Sequence, residues 1–208
     1  MDDKELRESA LLLTPAEVSA LLGFTQTAGA LRTAEVLGLT LVPPDVTDPL
    51  KGLETLVERG LVLADGELRT ATGQAETVAL VVAAAEEWVR FGFIRGEMMD
   101  VAVAASGPAG RVLVSATRGT QYQVVPLNPQ RTLADFAADS TGRFLDHYDN
   151  STAVVNRLRA ASDSTIAVRR AGESWSVSHH VGGDVENPDF TTVAGRDEAL
   201  RGVSQLWS

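Results

Sequence analysis

Two stretches of this chain repeat one pattern, and few folds can satisfy it twice. In Gly110–Pro126 (GRVLVSATRGTQYQVVP), Val112, Val114 and Ala116 alternate with Leu113, Ser115 and Thr117. Gly119 follows, and then Tyr122, Val124 and Pro126 alternate with Gln121, Gln123 and Val125. Fifty-three residues on, in Ser164–Val181 (STIAVRRAGESWSVSHHV), Ile166 and Val168 precede Gly172, and Trp175 and Val177 follow it. Glycine to aromatic spans three residues in both stretches, and aromatic to valine two. Alternation with period two sends apolar side chains to one face of a strand. Two such runs around a Gly-containing loop predict an antiparallel hairpin, and the repeated spacing predicts an internal duplication around one sheet. The expected fold is α+β: an antiparallel sheet built from two related hairpin–helix units, with an N-terminal helical, winged-helix-like segment.

Reading in order, residues 1–12 are expected as a short helix or loose arm. Leu13-Thr14-Pro15-Ala16-Glu17 is a helix start: Thr14 caps, Pro15 suits the first helical position, and Glu17 closes a capping box. That helix ends at Gly23, and a second fits Thr27 to Leu37. Leu39 to Pro44 is extended, because a residue before proline is pushed out of the α region. Asp48-Pro49 opens a third helix with Leu50, Leu53, Leu56 and Val57 on one face. Asp65-Gly66 is a hairpin turn between Leu61-Val62-Leu63 and Glu67-Leu68-Arg69. A fourth helix is expected over Gln74–Phe91, with Val78, Val81, Val82, Ala85, Trp88 and Val89 on its apolar face, and Gly92 and Gly96 in the turn after it. Met98–Ala105 is a strand feeding the first hairpin. A helix follows Thr132, 139–150 is an exposed boundary, a further helix starts at Ser151 or Thr152, and Asp197–Leu206 closes the chain. The expected divisions are 1–72, 73–150 and 151–208, packed as one body.

Three helices and a small hairpin resemble a winged helix-turn-helix, so charge decides what that segment can do. Residues 14–72 hold eight acids and four bases, and its third helix carries Asp48, Glu54 and Glu58 against Lys51 and Arg59. Phosphate would repel such a helix, which disfavours a DNA reader. The whole chain has a formal net charge of −10. It therefore lacks the basic footprint that nucleic acid or an anionic membrane requires. The longest apolar run, Val78–Ala85, is too short for a membrane span. The charged start, MDDKELRES, has no apolar segment of the kind a signal peptide needs. The expected location is the cytoplasm.

The 208 residues contain no cysteine, which excludes disulfides and thiolate chemistry. His179 and His180 are adjacent on a predicted strand and point to opposite faces, so they cannot easily share a metal. There is no G-x-S-x-G elbow and no phosphate-binding loop. No catalytic, cofactor or metal residue is assigned, and no enzyme activity is expected. The candidate partner contacts are Tyr122 and Trp175, which share a place in the two hairpins, and Phe190, in the loop 182–193 whose first part, Gly182–Asn187, is rich in Gly and acids.

The order of elements carries one resemblance. A helical part ends in LVERGLVLADGEL. A long helix follows, then VLVSATRGTQYQVVPL, then a helix starting RTLADF, and a second β-unit closes the chain. From Leu13 to Leu206 this resembles the EspG family of actinobacterial type VII secretion proteins. The resemblance transfers no individual residue. It implies a cytosolic chaperone that holds a helical secretion substrate of the PE/PPE or WXG100 kind, gripped by the sheet face or by loop 182–193. The alternative is a winged-helix transcriptional regulator with a ligand-sensing C-terminal part.

Overall fold

The computed structural model describes residues 10–39, 44–66, 68–117, 121–159, 162–181 and 188–208. The expectations placed on residues 1–9, on the extended stretch 40–43, on Gly119 and on loop residues 182–187 lie outside these. The fold is α+β and its sheet is antiparallel, as two hairpins require. Contacts divide the chain into two compact units: residues up to Trp88 with Val103–Pro129, and Val89–Ala102 with Gln130–Ser208. Residues 73–150 therefore contribute to both.

The first unit opens with strand β1 (Leu11–Leu13) and helices α1 (Pro15–Gly23), α2 (Ala28–Val36), α3 (Pro44–Thr47) and α4 (Pro49–Glu58). The capping box forms as read: Thr14 Oγ1 accepts from Glu17 N at 3.2 Å, and Glu17 Oε2 accepts from Thr14 N at 2.7 Å. The other oxygen of this carboxylate, on a residue only 1% exposed, accepts from Arg59 Nη1 at 2.7 Å. Burying the charge is tolerable because both oxygens are hydrogen-bonded. Helices α1 and α4 pack through Gly52, where a Cβ would lie 1.9 Å from the Ala16 carbonyl oxygen. Leu56 is buried on α4, whereas Leu50 is 72% exposed and lies off the core face. Hairpin β2 (Val62–Asp65) and β3 (Leu68–Ala71) follows, with Asp65 opposite Leu68, so the turn begins at Gly66 (φ +59°), not at Asp65.

Helix α5 spans Gly73–Ala83 and stops well short of Phe91. Its end is fastened to α2, where Thr27 Oγ1 donates to the Ala83 carbonyl at 2.7 Å. Residues Glu87–Arg95 form strand β4, not the last turns of the helix, and Met98–Gly107 forms β5. The aromatic and β-branched run WVRFGFI favours the pleated state once a sheet is there to receive it. Trp88, expected on a helix, is buried on that strand, with its indole N–H donating to Thr33 Oγ1 at 2.8 Å. Strands β6 (Gly110–Ala116) and β7 (Tyr122–Pro126) complete this unit, with hydrogen-bonded order β1-β7-β6-β5. Residues 11–13 are an edge strand, correcting the helix or arm expected there: Leu13 pairs with Tyr122 and Leu11 with Val124.

In the second unit helix α6 runs Leu133–His147, then β8 (Ser151–Arg159), β9 (Asp163–Ala171), β10 (Ser174–Val181), β11 (Thr191–Val193) and helix α7 (Arg196–Gln205). Two expectations fail here. The polar stretch from Asp139 is helix, and Gly142 is not a break: a Cβ on it would lie 2.8 Å from Arg196 Nη2 and 2.9 Å from Leu200 Cδ1. Residues 151–159 are strand, with Ala153 opposite Val168 and Val155 opposite Ile166. An aromatic cluster joins β4 to α6: Phe91 meets Phe136 edge-on at 5.9 Å, and Phe93 meets Phe144 at 4.8 Å. Strand β11 pairs Val193 with Trp175 and Thr191 with Val177. Each aromatic-x-valine triplet thus carries a short edge strand, reached from earlier in the chain for Tyr122 and from later for Trp175.

Candidate functional site

Register assigns side chains of the second unit to two faces. Ala153, Val155, Ile166, Val168, Arg170, Trp175, Val177 and His179 share one. Helices cover it: the Ile166 side chain lies against Gly202 of α7, and Arg170 Nη1 donates to the Leu145 carbonyl at the end of α6 at 2.8 Å. Thr152, Val154, Asn156, Thr165, Ala167 and Arg169 fall on the opposite face.

On that opposite face β4, β5 and β8 enclose a groove of about 250 Å³. Arg90, Gly92 and Ile94 come from β4, Met99 and Val101 from β5, Val154 and Asn156 from β8. Gly92 lies on its floor: a Cβ there would meet only the Val154 Cβ at 3.8 Å and the Met99 sulfur at 3.9 Å, both ordinary contacts, so no neighbour forbids a side chain at this position. Met99 is 58% exposed and Met98 beside it is also exposed. A flexible thioether at the mouth can adapt to different occupants. Asn156 is 9% exposed, and its side-chain carbonyl Oδ1 is buried without a hydrogen-bond partner.

The predicted contacts do not come together around this groove. Trp175 is 7% exposed on the helix-covered face, with Arg170 5.8 Å from its ring centre. Phe190 is half-buried with the Arg169 guanidinium 4.1 Å over its ring, which ties it to the opposite face. Tyr122 belongs to the first unit, half-buried between β6 and β1, and burial raises its phenol above the usual value. The histidines separate as alternation requires: His179 lies near Gly202 of α7, while His180 Nε2 is 2.8 Å from Ser178 Oγ on the other face. Among the described residues no cluster of three or more His, Asp or Glu side chains could hold a metal ion. None of their helices is long and apolar enough to cross a membrane.

None of the groove residues was singled out from sequence. On sequence, β8 reads as a helix and β4 as the end of a helix followed by a turn at Gly92, which scatters Arg90, Val154 and Asn156 away from one another. The alternation of Arg90, Gly92 and Ile94 with Val89, Phe91 and Phe93 was the available signal.

No protein-family model matches this sequence, and no curated protein matches it. Among solved structures the chain is similar to the Mycobacterium tuberculosis type VII secretion system chaperone EspG5, solved in complex with a PE25–PPE41 dimer. The TM-score is 0.60 at 12% identity, over 96% of each chain. At that identity the likeness is one of fold.

Proposed function

We propose that this chain is a cytoplasmic, chaperone-like binding protein that holds a helical secretion substrate of the PE/PPE or WXG100 kind for a type VII secretion system. The observation that carries this is the fold likeness over 96% of both chains to a chaperone solved with a protein partner bound. The open groove on the second unit supports it, because an apolar hollow with an adaptable rim fits protein binding. In this reading the groove takes the partner and Phe190 makes a contact on the same face. Tyr122 and Trp175 act through the strands they hold.

The test is co-expression of the full chain with PE–PPE and WXG100 pairs from its own genome, followed by size-exclusion chromatography with light scattering. A defined complex is expected with at least one pair, and Gly92→Arg, which fills the groove, abolishes it while leaving the circular dichroism spectrum unchanged. Failure to form a complex with every pair would overturn the function. A complex indifferent to Gly92→Arg would remove the groove as its site.

A further inference from the structure

We infer that hairpin β2–β3 is a docking arm, and that its occupant is an extended segment of a second protein with a basic residue two positions before an aliphatic one. The inference goes beyond the chaperone reading and stands without it, since the arm belongs to the first unit and the groove to the second.

The arm is a two-stranded sheet of its own, paired with none of the strands of the main sheet. Register places Leu63 opposite Thr70 and Asp65 opposite Leu68, so these side chains share one face. Val62, Ala64, Arg69 and Ala71 share the other. Val62 is buried, at 1% exposure, and roots the arm in the core. Every described residue from Leu63 to Thr70 is exposed, Leu63 at 61% and Leu68 at 67%. Two leucines thus sit diagonally on a solvated face, and the arm has no element of its own to cover them. A two-stranded hairpin is marginal in water and gains stability from a third strand.

An unpaired strand edge offers its backbone to an added strand. The two edges of the arm differ. Arg69 Nη1 donates to the carbonyls of Gly66 and Leu68 at 2.6 and 2.9 Å. This sets a guanidinium against β3, and a charged side chain blunts an edge. Strand β2 carries Leu63 and Asp65 on one face instead. The antiparallel pairing is the more stable one. In it, the residue opposite Asp65 comes two positions before the residue opposite Leu63, and both lie on the leucine face. A basic side chain there meets the Asp65 carboxylate, and an aliphatic one covers Leu63. Charge disfavours a second copy as the occupant. In the first unit Arg32 pairs with Glu35 at 2.8 Å. Arg59 is engaged by Glu17 and by the Leu12 carbonyl, and Arg69 by its own turn. Glu54, Glu58 and Asp65 stand exposed. Another copy would bring the same acids from a chain of net charge −10, and like charges repel.

The test titrates the full chain with the peptide Thr-Arg-Thr-Leu-Thr-Val-Thr and with versions carrying Glu for its Arg or Ser for its Leu. Binding is read from NMR shifts of the Leu63, Ala64 and Asp65 amides. The Arg/Leu peptide is expected to bind tightest. The Ser version is weaker by about 10-fold or more, the scale of one buried leucine side chain. The Glu version is weaker by about 3-fold or more, the scale of an exposed ion pair. In Asp65→Lys the order of the Arg and Glu peptides reverses, and in Leu63→Ser the Leu and Ser peptides bind alike. The peptide series on the unaltered chain decides the matter even if a variant fails to fold. Equal affinity for the Arg and Glu peptides, shifts that spare residues 63–65, or no binding by any peptide overturns the inference. So does a dimer, seen by analytical ultracentrifugation, that Leu63→Ser with Leu68→Ser dissolves, because a second copy would then be the occupant.

Discussion

Gly52 admits no side chain. A Cβ placed there would sit 1.9 Å from the Ala16 oxygen and 2.7 Å from the Glu17 nitrogen, both backbone atoms. Backbone cannot swing aside as a side chain does, so α1 and α4 must separate. Gly52→Ala is therefore expected to lose at least ~2 kcal/mol, beyond the small gain alanine brings to an exposed helix. A fall in Tm of about 5 °C or more would register this, and an unchanged Tm would show that the two helices are not packed this way. Tyr122 supplies a pH test. Burial raises its phenol pKa in the folded state above the ordinary 10.0, so the folded chain resists losing that proton. The contribution is fully present below about pH 10, the unfolded value, and is lost as pH rises through the folded value. Denaturant midpoints should fall over that alkaline window, and more steeply for the parent chain than for Tyr122→Phe. The residues that make these sites were visible in the sequence as letters. Their meaning was not, because Gly52 reads as a weak spot in a helix until its neighbour is known.

Among the elements, the α6–α7 pair sets two kinds of interaction against each other. Arg196 Nε and Nη2 grip the Asp146 carboxylate at 2.9–3.0 Å, and this hydrogen-bonded pairing, more than the Coulomb attraction alone, raises the guanidinium pKa. Both side chains are close to half exposed, 44% and 45%, so the pair contributes less than ~1 kcal/mol. Gly142, packed against Arg196 and Leu200, governs how near the helices approach. Asp146→Asn is expected to shift stability by under ~1 kcal/mol, and less still in high salt. Gly142→Leu is expected to cost about 1–3 kcal/mol at any salt concentration. Chemical denaturation at low and high ionic strength separates the two, and the opposite ranking would mean that charge, not packing, holds this pair. Elements with punctuation in the sequence were legible: Thr14, Thr27, Asp48 and Thr132 each cap the helix they precede. Elements defined only by pairing were not. Leu11–Leu13 and Thr191–Val193 are three-residue strands whose sequences carry no turn signal or alternation long enough to register.

At the scale of the whole chain, net charge separates the two functional readings. The helices α1, α2 and α4 with hairpin β2–β3 keep the order of a winged helix, but residues 14–72 carry eight acids against four bases in a chain of net charge −10. Even non-specific DNA binding draws on counterion release by basic groups and reaches Kd values of roughly 10⁻⁴ to 10⁻⁶ M. Anisotropy with a labelled duplex at low salt is expected to show no binding in that range. Salt-sensitive binding would favour the regulator reading instead.

Composition and local order alone decided the absence of thiol chemistry, the acidic balance, the helix caps and the pairing of β6 with β7 and of β9 with β10, because each depends on residues within a few positions of one another. Whether Glu87–Arg95 and Ser151–Arg159 are helix or strand was settled by pairing with distant segments, since a short apolar run satisfies either period until a neighbouring strand offers its hydrogen bonds. The groove over Gly92 belongs to that second class. It exists only because three strands far apart in the chain set their small and apolar residues side by side.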